Sequence, residues 1–186
     1  MTLEEMKNKV YALIEEYSED SEDLTEDEDL ALKINGVINQ IQNELTRFKK
    51  IPAMKTIEVT KDQTMSLKDI DNLIYQLNII RGVGYEVLGD TITFTDDGTA
   101  NVYYYKYPKT INSETEDDYK FELTTDLLEI MPYGVAGDLL KSDVSSQYGA
   151  IYSARYREML SALDSRYTNL VAEFTGGINV WVQAEV

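Results

Sequence analysis

Over its first fifty residues the chain repeats apolar side chains every three or four positions, and from Ile51 that spacing gives way to short β-rich runs. Side chains three and four apart share one face of a helix, whereas strand side chains alternate between faces. The change of period therefore separates a helical start from a β-rich middle. Leu3, Met6, Val10, Leu13, Ile14 and Tyr17 make the first stripe, and Leu30, Ile34, Val37, Ile38, Ile41, Leu45 and Phe48 make the second. Each stripe follows a capping box, Thr2 with Glu5 and Thr25 with Glu28, in which the hydroxyl and the carboxylate each bond the other's amide. Helices are predicted over 2–17 and 26–50. Lys49 and Lys50 sit at the negative end of the second, with Pro52 beyond.

Strands are predicted at Lys55–Thr60, with Ile57 and Val59 on one face, and at Tyr85–Leu88, Thr91–Thr95 and Asn101–Tyr107. Gly89-Asp90 and Asp96-Asp97-Gly98 supply turn chemistry between the last three, which predicts an antiparallel meander. Ser66–Ile80 reads as a short helix or helical turn with Leu67, Ile70, Leu73, Ile74 and Leu77 inward, stopped by Gly82 and Gly84. A polar link, Thr110–Asp118, leads to a short strand over Tyr119–Leu123, which closes a β insertion spanning about 55–123. Two further helices are predicted, 125–143 and 146–163. Pro132 inside the first should kink it or delay its start, because a proline removes a hydrogen bond and clashes with the preceding turn. After Gly176-Gly177, residues 176–186 read as an extended C-terminal arm, with Ile178, Val180 and Val182 on one side and Trp181 on the other. The fold class is α+β, mainly helical: a helical bundle with an inserted antiparallel β-meander, residues 1–175 forming a single domain, followed by the arm.

Several functions are disfavoured by what the chain lacks. It holds no cysteine and no histidine. Disulfides, thiolate nucleophiles, histidine-assisted triads and histidine-ligated metals are therefore excluded, and no catalytic residue or cofactor is expected. No run is long enough to span a bilayer and the start does not resemble a signal peptide, so a soluble chain without a membrane partner is expected. The formal net charge is −17, and residues 1–29 carry twelve acids and two bases, hence −10 of it. Such a surface opposes nucleic-acid binding, which needs cations to displace condensed counterions. The acidic runs lack the alternating ligand pattern of a calcium loop and read as a solvated face. Gly82-Val83-Gly84 precedes a strand rather than a helix, so it reads as a turn and not as a phosphate cradle.

Fourteen tyrosines stand against four phenylalanines. Tyrosine couples apolar area to a wet end and is enriched where proteins meet. Tyr103, Tyr104, Tyr105 and Tyr107 read as a partly exposed interface strand, in preference to a base-stacking platform. Tyr148, Tyr152 and Tyr156 recur every four residues and suit either the core or a subunit contact. Tyr103, Tyr105, Tyr148, Tyr152 and Arg155 are the candidate interface residues. The arm, through Ile178, Val180, Trp181 and Val182, suits strand addition to a partner, or else a last edge strand of its own domain or a frayed terminus.

The stretch Leu127 to Ala136 (LLEIMPYGVA), followed by Asp138-Leu139-Leu140, Tyr152 to Arg157 and Tyr167, resembles the C-terminal helices of head–tail adaptor (connector) proteins of tailed bacteriophages. The order of elements is similar as well: a helix pair ending at Lys49 to Pro52, a β insertion closing in Tyr103 to Pro108, then the final helices. The resemblance covers about residues 1–175. It implies a structural virion protein without an active site, forming a ring, usually of twelve copies, between the portal protein and a stopper or tail-completion protein. It also implies that the arm enters the portal, that DNA passes through without specific binding, and that the protein sits in the virion neck after assembly in the host cytoplasm. The rival reading is an acidic DNA mimic that inhibits a nuclease or restriction enzyme, suggested by the net charge and the Glu15 to Asp29 run.

Overall fold

The computed structural model describes residues 1–15, 28–142 and 147–175. Helix α1 (Leu3–Glu15) begins on the predicted box: Thr2 Oγ1 accepts from the Glu5 amide at 3.2 Å, and the Glu5 carboxylate accepts from the Thr2 amide at 2.9 Å. Its stripe buries Leu3, Met6, Val10 and Ile14, and α2 (Glu28–Phe48) buries Ile34, Ile38, Ile41 and Leu45. Tyr17 and the Thr25 cap lie outside the described residues. Phe48, expected on the same stripe, is instead 50% exposed. The chain turns out of α2 there, and Ile51 joins the helical core in its place.

Helix α4 (Thr125–Leu139) is the hub, packing against α1, α2 and α5 (Tyr148–Thr175). It buries Leu127, Leu128, Ile130, Met131, Val135 and Ala136, and a helix apolar on nearly every side belongs inside a bundle. The helix starts after Thr124 and continues through Pro132. Gly137 sets the approach of α5: a Cβ there would lie 2.9 Å from the Ser153 backbone nitrogen. A single 3-10 turn, Leu140–Ser142, follows α4, and residues 143–146 lie outside the described set. Helix α5 runs past its predicted end at Leu163 to Thr175.

The β insertion contains β1 (Ile51–Val59), β2 (Thr64–Ser66), a one-turn helix α3 (Leu67–Ile70), β3 (Ile74–Arg81), β4 (Tyr85–Leu88), β5 (Thr91–Phe94) and β6 (Gly98–Lys106). It is antiparallel as expected, but divided over two three-stranded sheets, β1-β6-β3 and β2-β5-β4, instead of one meander. The chain changes sheet between β5 and β6, and β6 enters between β1 and β3. Pro52 is tolerated because β1 is an edge strand, where a missing N–H costs no ladder bond. Val59, Ile80, Val102 and Tyr104 of one sheet enclose a second core with Ile92 and Phe94 of the other.

Two predicted elements are corrected. Most of the helix expected over Ser66–Ile80 is strand β3, and Gly82, expected as a helix stop, sits in the β3–β4 turn with φ +103°. Tyr119–Leu123 forms no strand beyond one bridge between Lys120 and Thr2, while Phe121 and Leu123 insert into the helical core. The link between β6 and α4 is held by α2. Asn39 bonds Ile111 reciprocally, Nδ2 donating to its carbonyl at 2.7 Å and Oδ1 accepting from its amide at 2.8 Å, and Gln42 Nε2 donates to the Lys109 carbonyl at 3.1 Å.

Candidate functional site

Strand alternation in the β1-β6-β3 sheet points Ala100, Val102 and Tyr104 into the second core and leaves Tyr103 and Tyr105 on the opposite face. The register aligns Met54, Tyr103 and Ile79 in one row across the sheet, and Pro52, Tyr105 and Gln76 in the next. Met54 is 56% exposed and Ile79 38%, while the two tyrosines are half-buried. Two cations cover the rings: Lys50 Nζ lies 4.8 Å from the Tyr105 centroid and donates to Gln76 Oε1 at 2.8 Å, and the Arg81 guanidinium lies 5.5 Å from the Tyr103 centroid. Such contacts contribute about 0.5–1 kcal/mol each at exposed sites. Tyr75 and Tyr107 extend the cluster with ring centroids 4.7 Å apart. Burial raises the pKa of the Tyr75 hydroxyl, with smaller contributions from Tyr107 and Tyr105.

This face combines Met54, the tyrosine rings and Arg81, residue types enriched in protein interfaces. It has no nucleophile paired with a base. Among the described residues no group of three side chains could hold a metal ion, and no helix is long and apolar enough to cross a membrane.

The predicted interface residues separate. Tyr103 and Tyr105 come together on this face. Tyr152 does not: it is 4% exposed, and its hydroxyl donates to the Leu13 carbonyl at 2.5 Å, tying α5 to α1 inside the bundle. That burial removes it as a contact for another subunit. Tyr148 is partly buried against the same core. Arg155 is exposed on α5, where its Nη1 pairs with Glu158 Oε2 at 2.8 Å within one turn. Ile178, Val180, Trp181 and Val182 lie outside the described residues. Met54, Ile79, Lys50 and Arg81 complete the face without being legible as interface residues in the sequence, because only the register reveals which strands flank β6. No family model matches the chain, and no curated protein matches it.

Proposed function

We propose that this chain is a head–tail adaptor of a tailed bacteriophage: a structural protein that forms a ring, of twelve copies in the usual arrangement, between the portal and the stopper or tail-completion protein. One observation carries the reading. The chain runs from a helix pair into a β insertion that closes in the tyrosine-rich strand β6, and then into the packed pair α4 and α5, which is the element order of the adaptors it resembles. The aromatic face of the β1-β6-β3 sheet supplies a surface for a neighbouring copy, and a ring of copies requires two different side faces. Residues 176–186 are assigned to portal binding through Ile178, Val180, Trp181 and Val182. The net charge of −17 suits a wall past which DNA moves without sticking. The protein would then reside in the virion neck, after assembly in the host cytoplasm.

The test uses the full-length chain and a version ending at Thr175 as paired baits in lysate from phage-producing cells. Capture of a portal protein by the full-length bait alone is the expected result. Capture of a host nuclease by both baits, lost at high salt, would replace the adaptor reading with that of an acidic DNA mimic.

A further inference from the structure

The outer face of the β1-β6-β3 sheet is positive on a chain whose net charge is −17. Lys50 flanks Tyr105 and Arg81 flanks Tyr103; both cations are exposed, and among the described residues neither forms an ion pair. The three strands contain a single carboxylate, Glu58, which accepts from the Thr99 hydroxyl at 2.7 Å. The bundle presents the opposite charge on the bend between β6 and α4. Glu114, Glu116 and Asp118 are exposed there without ion pairs among the described residues, while Asp117 is held by Lys7 at 3.1 Å. The bend is fixed by its backbone: the Asn112 amide donates to Thr115 Oγ1, the Glu116 carbonyl accepts from the Tyr119 amide, and the Asp117 carbonyl accepts from the Glu4 amide, each at 3.0 Å.

These two patches do not meet within one chain. The bend is anchored where the Asn112 carbonyl accepts from Asn35 of α2, and from Asn35 to Phe48 the helix rises about 20 Å before Lys50 is reached. Opposed charges placed on different patches of one chain complement each other between copies, where they fix register and exclude wrong partners. A bend already ordered in the free chain also loses little freedom on docking. We propose that the sheet face of one copy docks the 112–118 bend of a second copy, with Lys50 and Arg81 against its free carboxylates around an apolar centre of Met54, Tyr103 and Ile79. Contact between two different patches is heterologous, the type from which a ring closes. The proposal rests on the adaptor reading and adds to it the second of the two side faces.

The test is sedimentation velocity of the purified full chain over a concentration series at physiological salt, where repulsion between whole copies is screened beyond about 8 Å and local pairs persist. The wild type should self-associate. Lys50→Glu with Arg81→Glu, and separately Glu114→Lys with Glu116→Lys, should each weaken association about tenfold or more, since like charges then face one another. The second pair brings the net charge from −17 to −13, which through overall repulsion alone would strengthen association, so a loss reports the local contact. A chain carrying all four substitutions should recover association. Zero-length carbodiimide cross-linking of mixed isotopically light and heavy chains should join Lys50 of one copy to Glu114 or Glu116 of another. Circular dichroism checks the fold of each variant, and Arg81→Glu alone carries the test of the sheet face if Lys50→Glu misfolds. A monomeric wild type, association unweakened by Glu114→Lys with Glu116→Lys, or no recovery in a folded chain carrying all four would each overturn the contact. Portal capture is assigned to residues 176–186, so failure of capture by the full-length bait counts against the adaptor reading, whereas self-association of the purified chain judges this contact.

Discussion

Replacing Tyr104 with phenylalanine should cost the protein stability at neutral pH, and that cost should shrink in alkali. Tyr104 sits in the β core at 5% exposure and donates a hydrogen bond to Asp71 Oδ2 at 2.8 Å. Burial, the hydrogen bond to Asp71 and that carboxylate's charge, in that order, push the hydroxyl from 10.0 up to about 12. Between those values the unfolded chain releases the proton while the folded protein keeps it. Stability from this group is therefore complete below about pH 10 and is lost as the pH rises towards about 12, at about 1.4 kcal/mol per pH unit. At neutral pH Tyr104→Phe removes a hydrogen bond to a charged acceptor, costing about 1.5–3 kcal/mol, while the Leu73 amide still serves the other Asp71 oxygen at 2.9 Å. At about pH 11 the wild type has already lost about 1.4 kcal/mol through this titration, so the gap between the two proteins should narrow by that amount. Other tyrosines with raised pKa values, such as Tyr119 and Tyr156, titrate in both proteins and cancel in the difference. Urea denaturation of both proteins at the two pH values measures the gap directly. A gap of equal size at both would refute the coupling of this proton to the fold.

Two further substitutions test the bundle. Gly137→Ala should destabilise: helix propensity favours alanine by about 1 kcal/mol, but the new Cβ meets the Ser153 backbone nitrogen at 2.9 Å, and overpacking of this kind costs about 1–3 kcal/mol. A lowered midpoint in urea is the expected result. Asn39→Ala should cost about 2–4 kcal/mol by leaving the Ile111 amide and carbonyl without partners, and should speed hydrogen exchange at the Ile111 amide.

The helices were legible because burial and spacing coincide. Leu3, Met6, Val10, Ile34, Ile38, Ile41 and Leu45 keep helical spacing and all are buried. Strand β3 carries the spacing of a helix for a physical reason. Register shifts between Ile74 and Gln76 and between Leu77 and Ile79 each insert one extra residue, so the positions facing the β core, Ile74, Leu77 and Ile80, fall three apart. That spacing imitates a helix in any search for periodicity. The meander expectation failed differently: turn residues announce where a chain reverses but not which strands then pair, and β6 passes its neighbour β5 to pair with β1 and β3. The tyrosine repeat on α5 could not be assigned from sequence, because a tyrosine in a core and one in an interface offer the same area and the same hydroxyl. Tyr152 was settled by the Leu13 carbonyl, which no local pattern reveals. Of the candidate interface, Tyr103 and Tyr105 were legible from alternation within one strand; their companions from β1 and β3 were not.

The aromatic face is separable from both cores, and this makes its role testable without a stability confound. The insertion holds itself together through Val59, Ile80, Ile92, Phe94 and Val102, and its root is fixed by Lys50 on Gln76, Lys106 on Glu122 and the Asn39 and Gln42 bonds to the following segment. Met54 belongs to neither core, and Tyr103 meets Arg81 from the outer side of the sheet. Met54→Lys should therefore change folding stability by no more than about 0.5 kcal/mol. In an interface the same change places a charge against apolar contacts and desolvates it. An assembly defect of Met54→Lys with an unchanged urea midpoint would assign this face to contact between copies. Full assembly with the lysine in place would show that neighbouring copies meet elsewhere, and would leave Tyr103 and Tyr105 as ordinary surface residues held by Lys50 and Arg81.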